Sequence, residues 1–316
     1  MFQDLLLDLG QAFAASVPNS GDTNGGDSIE GRGASAALTV KAPTFHVTEY
    51  DVIRGRYPPS WEDHAGYIIP GGVSSACGDE PWMLTLLDEV KSLRKTGRPV
   101  LGICLGHQVL AHGLGGLVQP RTADSGRHYA LQESELLLSP SAAAGTIVDD
   151  AVKAVRNRAV PPPQVPPPQV PPPPPPPPPL KLLYHHNDEV VKLPPRASNI
   201  ATSSRCGIHG MIMMATPAMS MGKIPSPSSA ATRQLSPTPN LLSFQAHPEL
   251  NYEYGRGVMD ILLDGDVTFG RLTQVEATKL KEKVLAWDHN DFPVAIELMR
   301  RLFAPIVPRS HGGMSD

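Results

Sequence analysis

Cysteines and aromatic residues are scarce in this sequence. Only three of its 316 residues are cysteine, and aromatic residues make up 5%. An odd number of widely spaced cysteines argues against a disulfide framework and indicates a reducing compartment. The longest apolar runs are strand-sized, so no segment is predicted to span a membrane. A formal net charge of −4 without a basic stripe gives no reason to expect a nucleic-acid partner.

Basic residues are absent from the first part of the chain, where no lysine or arginine precedes Arg32. A secretory signal peptide needs a positively charged start, and organellar transit peptides are rich in arginine. We therefore expect a cytosolic protein.

A glycine-rich turn surrounds one of the three cysteines. Residues 102–108 read GICLGHQ. Arg98–Ile103 is predicted to be a buried strand and Leu105–Leu114 a helix, which places Cys104 on a sharp strand-to-helix turn between two glycines that relieve crowding. The helix N-terminus favours a thiolate, and the N–H of Leu105 can point at an oxyanion.

A second apolar strand, Tyr67–Pro70, also runs into a glycine turn, at Gly71-Gly72. Such a turn can expose a backbone N–H. Gly72 is the residue that we expect to supply the other oxyanion donor.

A histidine and a glutamate lie two residues apart in the segment FQAHPEL, residues 244–250. On an extended segment, His247 and Glu249 would share one face, with Pro248 discouraging a helix between them. A thiolate nucleophile needs an imidazole and a carboxylate that orients it, so these residues and Cys104 predict a Cys-His-Glu triad. The alternatives are that Cys104 is a small buried hydrophobe and that the His-Pro-Glu sequence is a surface loop.

Together, GICLGHQ, FQAHPEL and the upstream IIPGG resemble the triad-type class I glutamine amidotransferases, which hydrolyse the side-chain amide of glutamine. The chain most resembles stand-alone members related to the glutaminase domain of GMP synthetase and to plant γ-glutamyl peptidases. The resemblance implies Cys104 as nucleophile, His247 as base and then acid, and Glu249 as the residue that orients it. It implies an oxyanion hole at Gly72 and Leu105, and it implies no cofactor.

The resemblance also suggests residues that bind substrate. Gln108 would help to hold the glutamyl group, and His186 and Asp188 match a His-x-Asp beside the active-site mouth of related proteins. A metal site formed by His185, His186 and Asp188 is one alternative, and a plain loop at a strand end is the other.

The resemblance implies two functions, and the proline-rich segment suggests a third. The first is a γ-glutamyl peptidase that acts on glutathione-type compounds, and the second is a glutaminase that supplies ammonia to a separate synthetase. The peptidase is favoured because the chain has no Gly-rich phosphate loop and too little remaining length for a synthetase domain. The third is a catalytically idle protein that uses its proline-rich segment for interaction.

The alternation of strands and helices predicts an α/β fold with a doubly wound, mainly parallel sheet, which corresponds to the flavodoxin-like fold of the amidotransferase family. Its first strand is expected to be missing, because residues 1–14 read like the helix that follows that strand in related chains. Strands are further predicted at Phe45–Val52, Glu133–Ser139 and Thr146–Asp149. A helix capped by Asp79 is predicted over Glu80–Thr96, and three more helices are expected at Tyr252–Leu263, Gln274–Trp287 and Phe292–Phe303.

Composition divides the chain into a domain and its insertions. Residues 1–42 are expected to be a helix and a flexible loop, residues 43–305 the amidotransferase-like domain, and residues 306–316 a disordered tail. Two inserts interrupt the domain, a polyproline segment at 159–180 and a Ser/Pro-rich segment at 216–240. The polyproline segment is either a docking site for an SH3, WW or profilin-like partner or a tolerated low-complexity insertion.

Overall fold

The computed structural model describes residues 46–121, 128–136, 144–159, 180–215, 239–250, 252–286 and 292–303. The strands are β1 (Tyr67–Ile69), β2 (Val100–Ile103), β3 (Leu117–Pro120), β4 (His128–Leu136), β5 (Leu180–His186), β6 (Asp188–Lys192), β7 (Ala197–Ser203), β8 (Cys206–Met214) and β9 (Pro239–Phe244). The helices are α1 (Pro81–Thr96), α2 (Leu105–Gly113), α3 (Ala144–Ala159), α4 (Tyr252–Thr268), α5 (Gln274–Leu285) and α6 (Phe292–Phe303).

Seven strands form one mixed sheet in the order β1-β2-β9-β8-β7-β4-β5. β1, β2 and β9 are parallel neighbours, whereas the remaining pairs are antiparallel. The predicted α/β class is confirmed. The predicted parallel pairing is found only among the strands that carry the site, so the sheet is mixed instead of mainly parallel. For β7 and β8 the antiparallel pairing follows from the two-residue turn that joins them, which is too short for a parallel crossover. β3 and β6 form a separate antiparallel pair.

Helices cover both faces of the sheet, as a doubly wound fold requires. Alternate strand residues point to opposite faces, so Leu101 and Leu242 pack with α3 and α6. Their neighbours Val100 and Leu241 pack instead with α1 and α2. A third cluster joins α4 to α5.

Two of the predicted strands are wrong. Residues 46–51 form no regular structure, and a short 3₁₀ turn follows at Val52–Arg54. Thr146–Asp149 lies within α3, where Val148, Ala151 and Val152 are buried against the sheet. A short apolar run cannot distinguish a strand from the buried face of a helix, and here the burial recurs at helical spacing.

The helix predictions are confirmed with small changes at the ends. α1 begins at Pro81, and its N-cap is Glu80, which makes no side-chain capping bond, so the predicted cap at Asp79 is wrong. The three C-terminal helices occur where the apolar spacing predicted them.

Several predictions concern residues outside the described ranges. These are the missing first strand, the segment 1–42, the tail 306–316 and nearly all of both inserts. At the edges of the inserts, Ala159 belongs to α3, Leu180 to β5, and Pro239 and Asn240 to β9. No helix within the described ranges is long and apolar enough to cross a membrane.

Candidate active site

Three parallel strands end at one edge of the sheet, and a predicted site residue follows each of them. Gly72 lies beyond β1, Cys104 directly follows β2, and His247 lies beyond β9. The carboxyl ends of neighbouring parallel strands are the usual place for a site in such folds. The sheet therefore gathers residues that are far apart in the sequence.

Cys104 occupies a strained turn between β2 and α2. It is a non-glycine residue with φ of 51° and ψ of −104°, and it is the N-cap of α2. Its N–H donates a hydrogen bond to the carbonyl oxygen of Phe244 at 2.8 Å, which ties the turn to β9. A backbone strained in this way costs about 1–3 kcal/mol and persists only where its surroundings hold it.

A close approach of backbones makes this turn possible. A Cβ atom at Gly106 would come closer to the carbonyl oxygen of Ile69 than real Cβ contacts allow. α2 can therefore pack on β1 only with glycine at this position, and the predicted role of the glycines flanking Cys104 is confirmed.

His247 and Glu249 are hydrogen-bonded, with 2.8 Å between the histidine Nδ1 and the glutamate Oε1. The expected extended segment is wrong, because the N–H of Leu250 donates to the carbonyl oxygen of His247 at 3.2 Å and closes a turn. Pro248 occupies the second position of this turn, which its fixed φ suits. The turn brings the carboxylate back to the imidazole.

The imidazole of His247 lies next to Cys104 across Gly71. A Cβ atom at Gly71 would be 2.9 Å from Cε1 of His247 and 3.3 Å from Cβ of Cys104. Burial by itself lowers the pKa of His247, but the charge of Cys104 and the hydrogen bonds with Cys104 and Glu249 hold the pKa well above its usual value. These contacts favour the cationic form of the imidazole beside Cys104.

Gly72 and Leu105 also meet, although they belong to different turns. A Cβ atom at Gly72 would be 2.8 Å from Cδ2 of Leu105. Within the described residues, the N–H groups of these two residues have no hydrogen-bond acceptor. Two backbone donors therefore remain available beside Cys104.

The three predicted substrate-binding residues line a cavity of about 470 Å³ that also contains Cys104. Gln108 donates from Nε2 to the carbonyl oxygen of Asp188 at 2.9 Å and to Oε1 of Gln245 at 3.2 Å. Nδ1 of His186 lies 2.8 Å from the same carbonyl oxygen, and the carboxylate of Asp188 accepts a hydrogen bond from Ser75. These polar side chains form a connected network on one side of the thiol.

Sequence reasoning missed the other side of the cavity. Asp266, Phe269 and Arg271 line it, together with His185 and Ile261. No motif marks the residues of α4 and of the segment after it, because only the packing of α4 against the rest of the fold brings them to the cavity. His185 was considered only as a metal ligand, and in the described part of the chain no group of His, Cys, Asp and Glu side chains could hold a metal ion.

Comparison with known proteins adds a family match. Residues 34–156 match the family model described as glutamine amidotransferase class-I, a range that includes Cys104 and ends before His247. A solved structure of a glutamine amidotransferase from Thermotoga maritima superimposes with a TM-score of 0.50 at 16% identity, over 80% of this chain and 85% of that one. At that identity, the likeness supports the fold alone.

Three curated proteins are similar in sequence. γ-Glutamyl peptidase 4 of Arabidopsis thaliana is 38% identical over 71 residues, which are 22% of this chain and 28% of that protein. The glutamine amidotransferase-like protein chyE of Penicillium rubens is 26% identical over 260 residues, 78% of this chain and 83% of its own length. The PurQ subunit of phosphoribosylformylglycinamidine synthase from Pyrococcus horikoshii is 39% identical over 70 residues, 20% of this chain and 31% of that subunit.

Proposed function

We propose that this chain is a cysteine-dependent hydrolase of γ-glutamyl amide bonds and acts as a γ-glutamyl peptidase on glutathione-type compounds. The match of residues 34–156 to the class I glutamine amidotransferase family and the similarity to γ-glutamyl peptidase 4 support this proposal. The observation that carries the proposal is the meeting of Cys104, His247 and Glu249 at one edge of the sheet. Gly72 and Leu105 complete the group with two backbone donors.

The first step is attack by the thiolate of Cys104 on the δ-carbonyl of the γ-glutamyl group. The protonated imidazole of His247 stabilises the thiolate, and the carboxylate of Glu249 holds that imidazole through Nδ1. The N–H groups of Gly72 and Leu105 then donate to the oxyanion of the tetrahedral intermediate. Each such donor is typically worth about 10²–10³-fold in kcat.

Breakdown of the intermediate needs a proton on the leaving nitrogen, and His247 supplies it as the C–N bond breaks. The product is a thioester on Cys104. His247, now neutral, takes a proton from water, the hydroxide attacks the thioester, and glutamate leaves as Cys104 regains its thiolate.

The size of the cavity supports the peptidase over the glutaminase. Its volume of about 470 Å³ lies within the range of about 300–1,000 Å³ that is typical of ligand pockets, and it extends beyond the polar network around Gln108. Such space suits a leaving amine larger than ammonia.

A second candidate is a glutaminase that passes ammonia to a separate synthetase. The similarity to the PurQ subunit favours it, because that relative is itself one subunit of a synthase. Co-purification with a synthetase, together with a preference for glutamine, would support this candidate over the peptidase.

The test is the release of glutamate by purified protein from glutamine, glutathione and an S-substituted glutathione. The wild type should prefer the two glutathione compounds. Cys104→Ala and His247→Ala should each abolish turnover, since the acid-base contribution alone is typically about 10²–10⁴-fold.

Cys206→Ala is a matched control, because Cys206 is a buried free cysteine that does not line the cavity. Burial raises the pKa of this thiol to about 11, so it is unsuited to act as a nucleophile near neutral pH. The control should keep wild-type activity. Glutamate release that survives in Cys104→Ala would refute the proposed mechanism.

A further inference from the structure

One wall of the cavity takes no part in the chemistry described above. It is formed by α4 and by the segment that follows it, through Ile261, Asp266, Phe269 and Arg271. Two of its members are large apolar side chains in unusually open positions, since Ile261 is 74% exposed and Phe269 71% exposed. Apolar side chains at the mouth of a cavity offer a surface for an apolar ligand group.

Arg271 places a partly exposed guanidinium on the same wall, ion-paired with Asp266. One of its NH1 hydrogens is donated to Oδ1 of Asp266 at 3.0 Å, and its guanidinium carbon lies 4.8 Å from the centre of the Phe269 ring. A guanidinium has about five N–H donors in a planar fork that suits a carboxylate. The Arg271 side chain remains 45% exposed, so donors are accessible to a ligand.

The carboxylate beneath Arg271 offsets part of the guanidinium charge, but it is not open to a ligand. Asp266 is buried, with a side-chain exposure of 2%, and both of its oxygens have partners. Oδ1 accepts from Arg271, and Oδ2 lies 3.1 Å from Nε2 of His185. A ligand entering the cavity therefore meets the cation that Asp266 holds in place.

The wall is continuous with the candidate nucleophile. The thiol of Cys104 lies 3.8 Å from the carbonyl oxygen of His185, whose ring contacts Asp266. The polar network of Gln108, His186 and Asp188 lies in the same cavity. If that network holds the glutamyl group, as the family resemblance implies, the α4 wall is left for the group attached to the amide nitrogen.

We infer that Ile261, Phe269 and Arg271 form a leaving-group subsite that selects amines with a free carboxylate and an apolar substituent. The cysteinyl-glycine part of an S-alkylated glutathione has both features, with Arg271 binding the glycine carboxylate and the two apolar side chains covering the S-alkyl group. This inference rests on the proposed function and specifies its substrate class.

The test compares four substrates: glutathione, S-hexylglutathione, glutathione with its glycine carboxylate amidated, and glutamine. Arg271→Gln should raise KM for glutathione about 10- to 100-fold, the range expected from the loss of a charge-assisted hydrogen bond. The kinetic constants for glutamine should change less than about twofold, since glutamine does not reach Arg271. Amidation of the glycine carboxylate should raise KM of the wild type by the same factor. It should not raise KM of Arg271→Gln any further. Arg271→Lys should recover part of the lost affinity for glutathione.

The apolar part of the subsite has its own readout. Phe269→Ser and Ile261→Ser should each remove most of the preference for S-hexylglutathione over glutathione and leave the glutathione constants near those of the wild type. The matched controls are Leu285→Ser, an exposed apolar residue of α5, and Lys281→Gln, a cation of α5 paired with Asp264. Neither residue lines the cavity, so both controls should retain the wild-type order of substrates.

Equal losses on all four substrates in Arg271→Gln, or no loss on any, would overturn the subsite. Binding of S-hexylglutathione to Cys104→Ala, measured by calorimetry with and without Arg271→Gln, separates this inference from the proposed hydrolysis. Arg271-dependent binding without turnover in the wild type would refute the hydrolase and support the subsite. Turnover by the wild type, together with binding that does not depend on Arg271, would support the hydrolase and refute the subsite.

Discussion

At the scale of single residues, the candidate site depends on charges held in buried positions. Glu249 is buried, and its Oε1 is bound to Nδ1 of His247 while its Oε2 has no hydrogen-bond partner among the described residues. The carboxylate therefore acts on His247 chiefly through its charge and one hydrogen bond. An amide of the same shape would keep the bond and remove the charge.

Glu249→Gln should lower kcat and shift the alkaline limb of the pH profile of kcat/KM to lower pH. The pKa of His247 is raised well above its ordinary value of about 6.5, so the proton for the leaving group persists into the alkaline range. Removing the carboxylate charge lowers that pKa, and the proton is then lost at a lower pH. An unshifted alkaline limb would show that Glu249 does not set the protonation of His247.

The same raised pKa affects stability. In the folded protein, His247 keeps its proton above the pH at which it would lose it in the unfolded chain. Its contribution to the free energy of unfolding is therefore complete below about pH 6.5 and is lost as pH rises through the folded pKa. Urea unfolding across this range should show a shallower decline in Glu249→Gln than in the wild type.

At the scale of elements, the packing of α2 against β1 positions the nucleophile. This contact requires glycine at residue 106, where a side chain would strike the carbonyl of Ile69. Any substituent moves the helix that begins directly after Cys104.

Gly106→Ala should reduce the free energy of unfolding by about 1–3 kcal/mol, the usual cost of overpacking, and should lower activity. Gly257→Ala is the matched control, because Gly257 lies inside α4 with no atom within 4 Å of an added Cβ. An alanine there should stabilise the protein by about 0.5–1 kcal/mol through helix propensity. Urea denaturation of both variants measures whether the free energy of unfolding falls in Gly106→Ala and rises in Gly257→Ala. Two changes of the same sign would contradict this explanation of the contact between α2 and β1.

At the scale of the whole molecule, the proline-rich segment enters the chain between α3 and β5. α3 ends at Ala159 and β5 begins at Leu180. The predicted site residue of β5, His186, lies at the opposite end of that strand. The entropic cost of closing a flexible loop depends only weakly on its length, so a flexible linker of equal length should be able to join the two elements.

Replacing residues 160–179 by a Gly/Ser linker of equal length should leave kcat/KM and the midpoint of thermal unfolding close to their wild-type values. Glutamate release and a thermal melt check both quantities. A large loss of activity or stability would mean that the prolines contribute to the fold. Loss of binding to an SH3, WW or profilin probe, with activity intact, would support the docking role instead of a tolerated insertion.

The sequence predicted local structure best where a single short segment contains all the residues that determine it. The turn at Cys104 follows from an apolar strand, two glycines and a helix-forming run within about ten residues. The helices α4 to α6 follow in the same way from apolar residues at helical spacing. The strand predicted at Thr146–Asp149 is wrong because its two apolar residues are too few to show a period, and the burial of α3 against the sheet decided its structure.

The sequence by itself determined which chemical groups are present, namely a cysteine at a strand-to-helix turn, a histidine with a nearby carboxylate, and glycines that free backbone donors. Only the tertiary structure decided which of them meet. The parallel order of β1, β2 and β9 brings Gly72, Cys104 and His247 to one edge, and the packing of α4 brings Arg271 to the cavity. The physical reason is that local sequence sets backbone conformation, whereas contacts between distant segments depend on how the burial of every helix and strand is satisfied at once.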